Sequence, residues 1–445
     1  MKRFTVLCLV LAFVGISMPT EALSRSKEKN RAEVVARSHG YYKDIFMDSG
    51  IGLASRHDLP SAPFLGLSME SFVSSVNRHK PASKLDTLLQ TKIFCGSEED
   101  TNGRLLYPDG APRYRMIYVN GGSAKIHGNA LFKQGRENIC KFVAGGGSYL
   151  GTCAGAYLAS SGGYSKKGSR FTKLYLGLWP AYAHSTHLSR SNTAMTIAKK
   201  SPLLRYFDFG GDKRVDDVLH NGGCYAYWNE DKPFPKGGEI LSYYIYNNEG
   251  RVQIDGKPSV WAYKASKHSG RVVSCGSHPE GVKEGERLEY MAAMVLYAID
   301  GNGVATPKGV LKAGEVREMN KRTEDKNPDY TRIGDKQYHH FELQVPKKCQ
   351  RAVVTLEGYE GENNFDLTLC ANHKELAYCN NATQKSDNKG TNKQLTIENP
   401  KSGKWYVSVL CETTVETKVG KYGTEYSGRT DVLNGVPYKI SVKYE

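Results

Sequence analysis

Residues 148–160 read SYLGTCAGAYLAS. A short β-type run ends in Gly151-Thr152-Cys153-Ala154-Gly155, and a helical pattern begins without any intervening loop. Small residues on both sides of a central one let a strand turn tightly into a helix and lift the central side chain above the carboxyl edge of a sheet. Upstream, YRMIYVN at 114–120 is an aromatic and β-branched run closed by Gly121-Gly122, the signature of a strand and its turn. ALFKQGRENICKFVA at 130–144 puts Leu131, Ile139, Phe142 and Val143 on a helical stripe interrupted by Gly135, and Gly145-Gly146-Gly147 stops it. Strand, helix, strand, helix at this spacing predicts an α/β fold with a parallel sheet and right-handed crossovers.

Outward from this unit, DIFM at 44–47 is a candidate first strand and LSMESFVSSVNR at 67–78 reads as a helix. RVVSC at 271–275 reads as a buried strand, and ERLEYMAAMVLYAI at 286–299 gathers Leu288, Met291, Ala292, Val295 and Ile299 on one helix face. A first domain over 40–303 closes at Gly301-Asn302-Gly303, and the polar stretch 304–334, without periodicity, reads as a linker. From 335 to 445 the texture changes to short alternating segments such as HHFELQV, RAVVTLEG, KQLTIEN and YKISVKY, separated by turn clusters. That texture predicts an antiparallel β-sandwich. Two domains suit 445 residues.

The N-terminus has Lys2 and Arg3 ahead of a short apolar run from Phe4 to Met18, then small Ala22 and Ser24. Residues 1–24 therefore read as a secretory signal peptide, 25–40 as a loose basic leader, and the product as secreted, extracellular or lumenal. No later segment approaches the roughly 18 apolar residues of a spanning helix. Of ten cysteines, Cys8 falls in the signal. The odd remainder suggests four disulfides, with pairing left open among Cys95, Cys140, Cys224, Cys275, Cys349, Cys370, Cys379 and Cys411, and Cys153 kept free. The formal charge is +15, yet the basic residues are scattered and no nucleic-acid motif accompanies them, so a solvated surface is expected and no nucleic-acid partner. Asn381-Ala-Thr383 is a glycosylation acceptor. His184 and His187 lack Cys or acidic neighbours and read as pocket lining or surface, so no metal and no cofactor are expected.

The turn that exposes Cys153 places its thiol at a helix start, where the reactive thiolate is favoured. A nucleophile needs a base and a group to orient it. SCGSHPEG at 274–281 offers His278 just past a strand, with Glu280 two residues on. Acyl transfer further needs backbone donors at one point, which the Ala154 N–H and a Gly121 or Gly122 N–H can supply. Cys153, His278 and Glu280 are the candidate triad.

YVNGGSA, NICKFVAGGGSYLGTCAGAYLAS, HNGGCYAYW and VVSCGSHPEG, spread over roughly residues 40–300, resemble class I glutamine amidotransferases. They are closer still to the amidotransferase-like N-terminal domain of eukaryotic biotin-protein ligases and its stand-alone secreted relatives. The resemblance implies a flavodoxin-like sheet with flanking helices, the triad just named, and a pocket that includes Asn221, Gly222 and Gly223. YHHFELQV, VTLEGYEGENNFDLTLC and GKWYVSV resemble the pre-peptidase C-terminal β-sandwich of secreted enzymes, an accessory module that implies contact with a surface or glycan. No GRGR-type biotinyl-adenylate loop occurs and the C-terminus is β-rich, which excludes biotin ligation. No ammonia-accepting domain follows, so the expected activity is hydrolysis of an amide or peptide-like bond in a small molecule or peptide. The alternative is a catalytically idle ligand-binding domain tethered by the sandwich.

Overall fold

A computed structural model describes residues 20–37, 39–54, 59–74, 87–246, 253–323, 327–361, 365–420 and 424–445. Residues 1–19 of the expected signal peptide lie outside them. The first part of the chain contributes helices α1 Thr20–Ala36, α2 Thr87–Cys95, α3 Ala124–Ala130, α4 Phe132–Ala144, α5 Ala154–Ala159 and α6 Gly285–Asp300. Its strands are β1 Lys43–Asp48, β2 Phe72–Ser74, β3 Tyr114–Val119, β4 Ser148–Thr152, β5 Gly163–Ser165, β6 Gly168–Arg170 and β7 Tyr182–Ser185. They continue with β8 Ser191–Ile197, β9 Arg214–His220, β10 Cys224–Tyr227, β11 Gly238–Ile245, β12 Pro258–Tyr263 and β13 Val272–Cys275.

The main sheet runs β2-β1-β3-β4-β13-β12-β11-β8-β9. Its first five strands are parallel, and numbered among themselves they stand in the order 2-1-3-4-5, the flavodoxin-like arrangement. The other four pair antiparallel, so the sheet is mixed rather than parallel throughout. β3 is buried along its whole length. Tyr114, Ile117 and Val119 join the core shared with α4 and α5, while Met116 and Tyr118 join the core under α6. Apolar residues on both faces are what a strand covered by helices on each side requires. A small sheet, β10-β7-β5-β6, sits beside the main one.

The C-terminal part forms two four-stranded sheets. One orders Val316–Met319, Tyr438–Tyr444, Arg351–Glu357 and Lys393–Glu398; the other orders Tyr338–Val345, Gly403–Cys411, Leu367–Asn372 and Gln384–Ser386. Inward residues such as Phe341, Val354, Val407 and Ile440 fill the space between them. The molecule is an α/β domain followed by a β-sandwich.

Several expectations are corrected. The leader 25–40 is not loose: most of it is helix α1, with Val34 buried under α6 and Lys27 donating to the Phe207 carbonyl at 2.8 Å. Polar composition hid it, because one apolar anchor and long cationic stems suffice to dock it. Residues 69–74 form a 3-10 turn and β2 instead of a helix, since Phe72 to Ser74 find a parallel partner in β1; residues 75–78 of that expected helix lie outside the described set. The helix expected across 130–144 is two helices broken at Leu131, and Gly135 sits inside the second. A Cβ at Gly135 would lie 3.1 Å from that of Phe94, so the glycine allows α2 to approach α4. The stretch 304–334 is no bare linker, because Val316–Met319 pairs with the final strand. The described cysteines are all free thiols rather than four bridges; Cys224 and Cys275 are wholly buried as small apolar fillers, and Cys370 and Cys379 have their sulfurs 3.4 Å apart.

Candidate active site

Three loops meet at the carboxyl ends of the adjacent strands β3, β4 and β13. The one after β4 carries Cys153 with φ +47° and ψ −103°, a backbone region that non-glycine residues rarely occupy and that typically costs about 1–3 kcal/mol. The surroundings impose it. The Cys153 N–H donates to the Cys275 carbonyl at 2.9 Å, tying the elbow to β13. A Cβ on Gly155 would lie 2.0 Å from the Val119 carbonyl oxygen, and one on Gly151 2.4 Å from the Gly155 carbonyl carbon. The flanking glycines are therefore a close-approach requirement. α5 is only six residues long, so its dipole is short and any charge felt at Cys153 comes mainly from neighbouring side chains.

The strongest neighbour is His278, in the loop after β13. Its Nδ1 lies 3.0 Å from Glu280 Oε1, and it is hydrogen-bonded to the Cys153 side chain. Burial pulls the imidazole pKa down, but the bonds and charges of Cys153 and Glu280 outweigh that and raise it to about 10. Such a ring stays protonated at neutral pH. The Glu280 side chain is wholly buried, and Thr152 Oγ1 donates to its Oε1 at 3.2 Å. Tyr118 Oη and Thr152 Oγ1 are 3.2 Å apart, which extends the network back into the sheet.

The loop after β3 brings Gly121 and Gly122 to the same place. A Cβ on Gly121 would stand 2.2 Å from His278 Cε1, and one on Gly122 2.4 Å from the Gly52 carbonyl oxygen. The Ala54 N–H holds the Gly121 carbonyl at 2.7 Å, and the Ser123 N–H holds that of Gly52 at 2.7 Å. Ala154 is the first residue of α5, where a backbone N–H has no partner inside its own helix. Asn221, Gly222 and Gly223 form the turn between β9 and β10. The Asn221 carbonyl lies 3.8 Å from Cys153 Sγ, and Tyr157 Oη, one turn along α5, donates to the Gly223 carbonyl at 2.9 Å.

All of these expected residues converge. Asn381 stands apart in the sandwich, half-buried, its side-chain amide donating to the Leu376 carbonyl at 3.1 Å and accepting from the Tyr378 N–H at 2.7 Å. His184 stacks on Tyr225 at 4.7 Å, and His187 is exposed on a cavity wall. Reading by motif missed Thr152, Tyr157 and His220. His220 is buried between Thr186 Oγ1 at 2.6 Å and Ser277 Oγ at 2.7 Å; burial, with the charge of His278, pushes its pKa down to about 4. Thr152 could have been found from its place beside the nucleophile, whereas nothing local marks His220.

Residues 111–293 match the family model described as the N-terminal part of biotin-protein ligase, a span that holds all three candidate catalytic residues. An uncharacterized protein of Chlamydia muridarum is 32% identical over 124 residues, which is 26% of this chain and 46% of that protein. The chain thus spans about half the length of the curated relative it matches. Among solved structures, a glutamine amidotransferase aligns with 47% of this chain and 93% of its own, at 15% identity and a TM-score of 0.28. The pre-peptidase C-terminal domain of a Bacillus anthracis collagenase aligns with 32% and 100%, at 12% identity and a TM-score of 0.18. Scores this low leave the fold to be read from the strand order itself.

Proposed function

We propose that this chain, which carries a biotin-protein ligase N-terminal-type, glutamine amidotransferase-like domain, is a cysteine-dependent hydrolase of an amide or peptide-like bond. The observation that carries the reading is the His278 ring, set between the Cys153 thiol and the Glu280 carboxylate. In the reaction, Cys153 Sγ attacks the amide carbonyl carbon. The oxyanion is held by the Ala154 N–H and the Gly121 or Gly122 N–H, each such donor typically contributing about 3 kcal/mol. His278 then delivers its proton to the departing amine as the C–N bond breaks, and afterwards takes one from the water that hydrolyses the thioester. Glu280 fixes the ring through Nδ1 throughout, and strain at Cys153 keeps the thiol on the loop side of the sheet.

Alkylation by iodoacetamide at neutral pH tests this. We expect rapid modification at Cys153, followed on its own peptide by mass spectrometry because other free thiols are partly exposed, and a rate there at least about tenfold lower in His278→Ala. Sluggish alkylation that ignores His278 would overturn the reading and leave a ligand-binding domain without turnover. Export is part of the proposal and rests on the N-terminal pattern; sequencing the N-terminus of secreted protein tests it. Removal of residues 1–24 would cut only the first turn of α1 and spare the contacts of Lys27 and Val34.

A further inference from the structure

Bordering the candidate site at Gly122 and Tyr157 lies a cavity of about 430 Å³, walled also by the β5–β6 hairpin. Four cations stand round it: Lys125 at the start of α3, and Lys166, Lys167 and Arg170 on the hairpin. Among the described residues no acidic side chain lines the cavity and none of the four cations is in an ion pair. Between them the wall is aromatic. Phe171 carries Lys125 over its ring at 5.4 Å, and Tyr164 and Tyr175 continue the surface.

Like charges gathered at one mouth repel one another, and a low-dielectric aromatic wall sharpens their field. Such a mouth concentrates anions, while the ring faces favour a planar group. We infer that the substrate is an amide bearing an anionic group joined to the scissile bond through a planar or aromatic portion lodged in this cavity. The inference rests on the hydrolase reading for the bond that is cut, but the cavity's charge preference is measured separately from catalysis. In the step itself the Sγ–C bond forms as the C–N bond breaks, and the amine leaves with the proton from His278. Water then restores the thiol and releases a carboxylic acid.

The test uses two probes of Cys153 that differ only in charge, N-phenyl-iodoacetamide and N-(4-carboxyphenyl)-iodoacetamide, on the full chain at low salt. The ratio of charged to neutral rate, normalised to free cysteine, is expected to reach about tenfold. It should fall toward one in Lys166→Gln/Lys167→Gln/Arg170→Gln and at high salt, where exposed charges are screened. Lys199→Gln/Lys200→Gln, exposed and outside the cavity's lining, controls for a change in net charge and is expected to keep the ratio. A ratio near one in the unaltered protein, or one that survives the hairpin substitutions, would overturn the inference. If His278→Ala alters neither absolute rate, the hydrolase reading fails while the ratio still reports on the cavity.

Discussion

Glu280 acts through the ring it holds. With its carboxylate replaced in Glu280→Gln, the imidazolium loses a stabilising charge and its pKa falls from about 10 toward the ordinary value. Alkylation of Cys153 at pH 7 is then expected to slow by about tenfold or more, with its onset displaced to higher pH, as a rate–pH profile would record. The raised imidazole pKa has a stability consequence of fixed sign. Its contribution is complete below the unfolded value near 6.5 and is lost as pH rises through about 10. At Gly121 the issue is space. Gly121→Ala would drive a methyl into the His278 ring, and a misplacement near 1 Å is expected to lower reactivity by about a hundredfold. A thermal melt that barely moves would show that the loss is geometric. These residue-level features were legible in the sequence where chemistry dictated residue type, as in the glycine-flanked cysteine and His-Pro-Glu. His220 was not legible, because its partners Thr186 and Ser277 are distant in sequence.

At the scale of elements, periodicity succeeded where one strand or helix faced a core and failed where pairing decided. β1, β3, β4, β13 and α6 stand where the pattern puts them. β2 does not, since its three residues become a strand by lying along the edge of β1, a long-range event that local preference does not encode. Helix α1 was lost to its polar composition. Val34 is 3% exposed, and the carbonyls of Val34 and Val35 accept from Arg115. Val34→Ala should lower unfolding stability by about 2 kcal/mol, read from urea melts. An unchanged midpoint would mean that α1 contributes nothing to the fold.

On the scale of the whole molecule, the two parts share one apolar core and a buried charge network. Arg113 Nη1 lies 3.0 Å from Asp335 Oδ1, with both side chains wholly buried. Removing one partner in Arg113→Met leaves a buried carboxylate and is expected to cost about 3–5 kcal/mol, seen as a lower Tm and as protease cleavage between the sandwich and the α/β domain. Nearby, His339 hydrogen-bonds Tyr438 Oη at 2.8 Å; burial, helped by Lys308 and opposed by Asp109, lowers its pKa to about 4. A depressed histidine contributes stability that is complete above pH 6.5 and lost as pH falls through about 4. His220, also near 4, acts in the same direction. Stability should therefore decline on acidification across that window, and His339→Gln should make the decline shallower in melts taken at successive pH values.

By itself the sequence determined the α/β domain, the β-sandwich and the identity of the three candidate side chains, because each is dictated locally by burial period, turn chemistry or nucleophile chemistry. Tertiary structure alone decided that four antiparallel strands extend the parallel sheet, that α1 docks, that 304–334 supplies a strand to the sandwich, and that the β5–β6 hairpin brings its cations to the cavity bordered by Gly122 and Tyr157. The physical reason is common to all four. Each depends on contacts between residues far apart in the chain, whose free energy exists only once the remainder has folded.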